Sequence, residues 1–342
     1  MVNKMKLNLL FLCFAFFTLN IAEALSAPNG FEQIKQRQYV ACGTSADYPA
    51  LAWQKDGQWY GFDADICRAI AHAFLGDPGK FKMIPIKKKN IGKALNSSKI
   101  DVMLGNSSLL SSEEVSLFVT PVDTLYYDRQ IFAAREKRKA KSMHDFKEKK
   151  VCVIANSNAS VFLNEYNQKQ ALGFKILPLN SLMELKEAFY TNRCELVTDS
   201  EIFLHHTISD INAKNKAEIL PEKVAYIPIK AYTAGNNPYL NIAIRWILNA
   251  LKLAEASDIK SQNIQIFTAS KNPSIQNLIG ANPKTWTKLG LNPLWARDYI
   301  SSYGNYRQII NRNIGEGSEL NLNIRQNNLI NKGGFLVSQP FI

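Results

Sequence analysis

The sequence predicts an α/β protein of two similar lobes, and three observations carry that expectation. Short apolar runs alternate with segments of helical periodicity through residues 39–229, the pattern of mainly parallel sheets. One helix-to-strand unit occurs twice. Ala94-Leu95-Asn96-Ser97-Ser98-Lys99-Ile100-Asp101-Val102 and Ala188-Phe189-Tyr190-Thr191-Asn192-Arg193-Cys194-Glu195-Leu196 share the order Ala, apolar, polar, Ser or Thr, polar, basic, any residue, acidic, apolar. The chain then continues from Asn236 to Ile342, so its carboxyl-terminal part is expected to complete one of the lobes. A length of 342 residues suits two domains on size alone.

Taken in order, Phe31–Arg37 forms a short amphipathic stretch and Tyr39–Gly43 a buried strand. Asp56-Gly57 between Gln54-Lys55 and Trp59-Tyr60 is a hairpin signal. Asp63–Leu75 is helical, with Ile66, Ile70, Ala73 and Phe74 on one face, and Gly76-Asp77-Pro78-Gly79 stops it. Phe81–Ile86 reads as a strand, Ile91–Leu95 as a helix and Ile100–Leu104 as a strand. Tyr239–Glu255 is a strong helix, followed by polar helices punctuated by Pro and Gly.

The amino terminus has the form of a cleavable export signal. Lys4 and Lys6 precede an apolar run from Leu7 to Ala22, and Ala22-Glu23-Ala24 supplies the small-x-small cleavage pattern. The run is short for a membrane span, and bulky Phe11-Leu12 before Cys13 make a poor lipidation site. Residues 1–24 are therefore expected to leave, giving a soluble exported protein. Their loss takes away two lysines and one glutamate and lowers the formal charge from +12 to +11. A basic chain can bind nucleic acid or anionic membranes, but Lys87-Lys88-Lys89 and the run Arg135–Lys150 lack interleaved aromatics and read as solvated faces. No nucleic-acid partner is expected.

Cys42, Cys67, Cys152 and Cys194 remain after cleavage. An even number in an oxidising compartment suggests two disulfides. Of the three possible pairings, the spacing favours Cys42–Cys67 and Cys152–Cys194, one in each half. No Cys-x-x-Cys or Cys/His cluster points to a metal, and no cofactor is expected.

Ligands of parallel sheets sit beyond the carboxyl ends of strands. That directs attention to Thr44–Pro49, Gly105–Ser112, Asn156–Ser160 and Thr198–Glu201. The second and third are rich in Asn and Ser and lead into helices. Their donors suit an anionic group, and they equally suit ordinary helix capping.

The order of these elements resembles the family 3 extracellular solute-binding proteins, in particular their general L-amino-acid-binding branch. Gly61-Phe62-Asp63-Ala64-Asp65 matches the family's Gly-aromatic-acidic-apolar-acidic signature. Leu75-Gly76-Asp77-Pro78, Tyr126-Tyr127-Asp128-x-Gln130, Cys152, Gly304-Asn305-Tyr306, Asn313-Ile314-Gly315-Glu316, Gly333-Gly334 and Pro340-Phe341 extend the match over most of residues 31–342. The resemblance implies a two-lobed type II periplasmic binding protein fold with two hinge strands, near Asp128–Arg135 and Val224–Tyr232. One lobe would comprise 31–130 and 230–342, the other 131–229. It also implies a monomer that captures a small molecule, expected to be an amino acid, for the permease subunits of an ABC importer.

The same resemblance supplies candidate ligand contacts: Tyr48 as an aromatic wall, Asn106, Ser107 and Ser108 after the Asp101–Leu104 run, and Asn156, Ser157 and Asn158 in the second lobe. Where the family pattern Thr-x-Thr-x-x-Arg places the Arg for the ligand carboxylate, this chain has Ser108-Leu109-Leu110-Ser111-Ser112-Glu113. An arginine has become Glu113, so a bidentate fork is lost and the charge reversed. Asp199 is the candidate for the ligand's amino group, with Ser200 as the other alignment. Two consequences are weighed. Either another cation replaces the arginine, Arg129 being the candidate, or Glu113 with Asp199 accepts a cationic amine. Similar folds also host dehydratases and lyases. Glu113-Glu114 would be the acid there, against an acidic pair favoured by a helix dipole, and no enzyme activity is expected. His72, His144, His205 and His206 have no partners at catalytic or metal-binding spacing.

Overall fold

The computed structural model describes residues 30–45, 51–105, 108–135, 142–211 and 217–341. The export segment, Tyr48, Asn106 and Ser107 lie outside the described residues. Helix α1 (Gly30–Arg37) leads into β1 (Val40–Ser45), the hairpin β2 (Trp53–Lys55) and β3 (Gln58–Tyr60), α2 (Phe62–Leu75) and β4 (Phe81–Ile86). A 3-10 turn, Lys88–Asn90, precedes α3 (Ile91–Asn96), β5 (Val102–Met103) and α4 (Ser111–Ser116). The chain then crosses the molecule in one long strand, β6 (Val119–Arg135). Beyond it come β7 (Lys150–Ile154), α5 (Asn158–Lys169), β8 (Lys175–Leu179), α6 (Leu182–Tyr190), β9 (Leu196–Ser200) and α7 (Glu201–Ile211). The return is a second long strand, β10 (Ala217–Ala234), followed by α8 (Pro238–Ala256), α9 (Pro273–Leu278), α10 (Lys284–Thr287), α11 (Trp295–Tyr303) and α12 (Tyr306–Asn313).

The main sheet has the order β4-β1-β5-β10-β6-β9-β7-β8. Its outer parts are parallel, β1 with β4 and β5 at one end and β7 with β8 and β9 at the other. The long central pair is antiparallel, with Asp128 opposite Ile227. On one side of that point β10 meets β5 at Tyr232–Met103, and on the other β6 meets β9 from Gln130–Ser200 to Ala134–Leu196. Two α/β lobes are thus joined through two shared strands.

Strand periodicity sets the cores. In β6, Ile131 and Ala133 pack with Cys152, Leu185 and Val197 on one face of the second lobe, while Phe132 and Ala134 pack with Val151, Leu163 and Phe174 on the other. The larger core of the first lobe joins α2 and α8 to Trp286, Trp295 and Tyr306 from the carboxyl-terminal segment. That segment therefore shares a core with α2 and α8. Among the described residues no helix is long and apolar enough to cross a membrane.

The repeated unit folds the same way twice. α3 leads to β5 and α6 to β9, and Ser98 and Asn192, at matching positions, both take left-handed backbone (φ 55° and 64°). In each copy an amide after the turn returns to the alanine carbonyl, that of Ile100 to Ala94 and, one position earlier in the repeat, that of Arg193 to Ala188. Cys42 is bonded to Cys67 and Cys152 to Cys194, with Cα atoms 6.1 and 5.8 Å apart, so each lobe carries the disulfide that the spacing favours.

The Gly-aromatic-acidic signature holds architecture together. Gly61 has φ 108°, and a Cβ there would come within 2.3 Å of the Leu51 carbonyl oxygen. Asp63 is fully buried and accepts the Thr44 hydroxyl at 2.6 Å, tying α2 to the end of β1. Asp65 accepts Arg312 Nε at 2.8 Å and Asn313 Nδ2 at 2.7 Å, fastening the carboxyl-terminal helices to α2.

Candidate functional site

The strand ends of the two lobes face each other across a cavity of about 350 Å³. The first lobe contributes Ser45 at the end of β1, Ile86 at the end of β4, Lys87 and Lys88 after it, Met103 of β5, and Ser108. The second contributes the run Ile154–Ala159, Asn180-Ser181-Leu182, and Asp199-Ser200 at the end of β9. Asp128 and Ile227, paired on the shared strands, form the floor. A size of this order is typical of small-molecule sites. Asn158 Nδ2 donates to the Ser108 carbonyl at 2.6 Å, so the lobes touch directly at the cavity.

The second-lobe wall is a helix start. Ser157 caps α5, its Oγ accepting the Ser160 amide at 3.1 Å while donating to the Ile154 carbonyl at 2.6 Å. The capping alternative therefore holds for this hydroxyl. Asn156 has φ 54°. Asparagine is a residue type that tolerates left-handed backbone. Gln130 Nε2 reaches the Ala159 carbonyl at 2.9 Å and Thr198 Oγ1 at 3.1 Å, fixing the helix start against β9.

The floor is acidic. Asp199 and Asp128 are both buried, and Asp199 and Ser200 both line the cavity. Asp199 accepts the Ser200 amide at 2.7 Å, and the Ser200 hydroxyl donates to Asp128. Burial pushes the Asp128 carboxyl up to about 7. The Ser200 hydroxyl and the Arg129 amide pull it back, and the charges of Glu201 and Asp199 raise it further.

The structure places two of the expected contacts away from the cavity lining. Arg129 does not line the cavity. Successive strand residues face opposite ways, so Asp128 takes the cavity side, and the Arg129 guanidinium is held by both carboxylate oxygens of Glu201. Glu113 does not line it either. Its Oε2 accepts the Leu110 amide at 2.8 Å at the start of α4, and its Oε1 lies 2.8 Å from Lys88 Nζ. Glu114 has separate partners, Lys230 at 3.3 Å and the Tyr232 hydroxyl at 3.2 Å. Of the remaining candidates, Ser108, Asn156, Ser157, Asn158 and Asp199 come together at the cavity.

Lys87, Lys88, Asn180, Ser181 and Asp128 were not singled out as contacts. The lysines belong to a run read as a solvated face, and they are indeed exposed, yet they follow β4 directly and so fall at a strand end like the other loops. Asp128 had a readable signal as an acid interrupting a strand whose continuation is Ile131-Phe132-Ala133-Ala134.

A cavity at the strand ends, two lobes and two connecting strands agree with the relatives of this chain. It is 30% identical over 98% of its length, and 99% of the other's, to the general L-amino acid-binding periplasmic protein AapJ of Rhizobium johnstonii. It is 28% identical over 98% of its length, and 99% of the other's, to the putative amino-acid ABC transporter-binding protein YhdW of Escherichia coli K12. Among solved structures, an ABC transporter periplasmic binding protein from Brucella ovis with glutathione bound superimposes with a TM-score of 0.81 at 30% identity. That match covers 91% of this chain and 99% of the other. Residues 40–315 match the family profile itself, and the chain belongs to the bacterial extracellular solute-binding proteins, family 3.

Proposed function

We propose that the protein captures a small zwitterionic solute of the amino-acid class between its lobes, in the periplasm, and delivers it as a monomer to the permease subunits of an ABC importer. The observation that carries this reading is the polarity of the cavity. Asp128 and Asp199 lie at the floor, Lys87 and Lys88 on the first-lobe wall, and the donors of the α5 start on the second. An ammonium group is served at one end and a carboxylate at the other. The relatives named for amino-acid binding support the class, and the glutathione-bound relative extends it to small peptides that share both groups. Lobe boundaries at 31–130 with 230–342, and at 131–229, accord with the point at which the shared strands change partners. The reading in which Glu113 and Asp199 together hold an amine loses support, because Glu113 faces Lys88 outside the cavity wall.

The test is calorimetric titration of residues 25–342 and its Asp199→Asn variant with L-amino acids and glutathione. Removing the charge that meets an ammonium should weaken binding by about tenfold or more. Binding that survives the substitution unchanged would contradict this placement of the amino group.

A further inference from the structure

We propose that Lys88 is the cation that meets the solute's carboxylate, and that Glu113 occupies its ammonium until the solute arrives. The proposal rests on the cavity being an amino-acid site, as inferred above, and adds the residue that reads the acid end. Lys88 opens the 3-10 turn between β4 and α3 and lines the cavity. Its Nζ lies 2.8 Å from Oε1 of Glu113, which is outside the lining. Glu113 is itself fixed, since its Oε2 takes the Leu110 amide at 2.8 Å. A carboxylate therefore already sits on this ammonium, at the cavity edge, in the place an incoming carboxylate would contest.

Among the described residues, two further cations are committed elsewhere. Arg129 is clasped by Glu201, and Lys230 meets Glu114 at 3.3 Å. Among the described residues that line the cavity, the cations are Lys87 and Lys88. With Asp128 and Asp199 at the floor, the ammonium of a zwitterion goes there and its carboxylate is left toward this wall.

Exchange of partners is physically easy. The side chains of Lys88 and Glu113 are 43% and 32% exposed, and a pair so solvated shifts an equilibrium only about two- to fivefold. A solute carboxylate enclosed between the lobes is less screened, and a lysine stem can swing without moving backbone. Binding then trades an internal ion pair for one with the solute.

The experiment titrates wild type, Lys88→Gln, Lys88→Arg and Glu113→Gln with the proteinogenic L-amino acids and their α-carboxamides. Glu113→Gln keeps an oxygen for the Leu110 amide, and the melting temperature of each free variant reports its folding. Lys88→Gln should weaken the amino acids about tenfold or more and leave the carboxamides unchanged. Lys88→Arg should restore most of the affinity. Glu113→Gln should tighten the amino acids about two- to fivefold by removing the competitor. Amino-acid affinity untouched by Lys88→Gln, or weakened by Glu113→Gln in a normally folded variant, would overturn the role of Lys88 while leaving the cavity reading intact. Silence of the wild type across the whole panel would overturn both.

Discussion

Asp128 shows how one residue couples the shared strands to the solute. Its carboxyl is buried, bonded to Ser200, and raised to about 7 from an ordinary 3.8. A value raised on folding means that this group stabilises the folded chain at low pH, and the contribution is lost as pH rises through about 7. Asp63 is raised to the same level, chiefly by burial, and adds the same slope. An ammonium arriving at the floor favours the ionised form of Asp128. Affinity should therefore rise as pH climbs toward about 7 and level off above it, with release of up to about one proton on binding below that pH. Titrations near that pH in two buffers of different ionisation heat should give different apparent enthalpies, and Asp128→Asn should remove the difference. Equal heats in the wild type would show that Asp128 does not answer the solute. Asn156 tests backbone rather than charge. Asn156→Gly should be nearly neutral, whereas Asn156→Ala, at φ 54°, should cost about 1 kcal/mol in denaturant unfolding.

Helices with a complete apolar stripe were legible in the sequence. The expected Asp63–Leu75 and Tyr239–Glu255 become Phe62–Leu75 and Pro238–Ala256, because amphipathic spacing over several turns has no competing reading. The hairpin is equally plain, since Asp56 and Gly57 both adopt positive φ between β2 and β3. The shared strands were seen only in part. Pro121, Asp123 and Asp128 interrupt β6, and Pro221 and Glu222 interrupt β10, so neither reads as one strand of 17 or 18 residues. Register shifts accommodate Pro221-Glu222 and the Pro121–Asp123 stretch, whereas the pairing at Asp128 is regular. Of the candidate site, the cavity residues that follow strand ends, Ser108, Asn156–Asn158 and Asp199, were legible in the sequence. Asp128 was not legible there, because a one-residue alternation turns it, rather than Arg129, toward the cavity. The disulfides belong to this scale as well. Cys152 and Cys194 close a separation of 42 residues between β7 and the start of β9, which the chain-entropy relation values at about 4 kcal/mol. Replacing both by alanine should lower unfolding free energy by an amount of that order without abolishing the first lobe's fold, and a loss below about 1 kcal/mol would contradict it.

Across the whole molecule, the carboxyl-terminal segment reaches the shared strands. Asn327 brackets Tyr127 of β6, accepting its amide at 2.6 Å and donating to its carbonyl at 2.9 Å. Phe335 packs edge-on against Tyr127 and Tyr226, one from each shared strand, at 5.2 and 5.1 Å. Both contacts lie beside Asp128 and Ile227, where the strands change partners. Phe335→Ala should therefore loosen the free protein, seen as a larger radius of gyration in X-ray scattering that returns toward wild type on ligand binding. The central claim is that the cavity binds a zwitterion. Its most direct test is the thermal unfolding of residues 25–342, disulfides intact, against each L-amino acid, glutathione and a set of polyamines. A bound solute at 100 times its dissociation constant adds about 2.7 kcal/mol, which raises the midpoint by several degrees. The account predicts such a rise with one or more amino acids or with glutathione, and none with polyamines. A rise with polyamines alone, or no rise with any zwitterion, would contradict it.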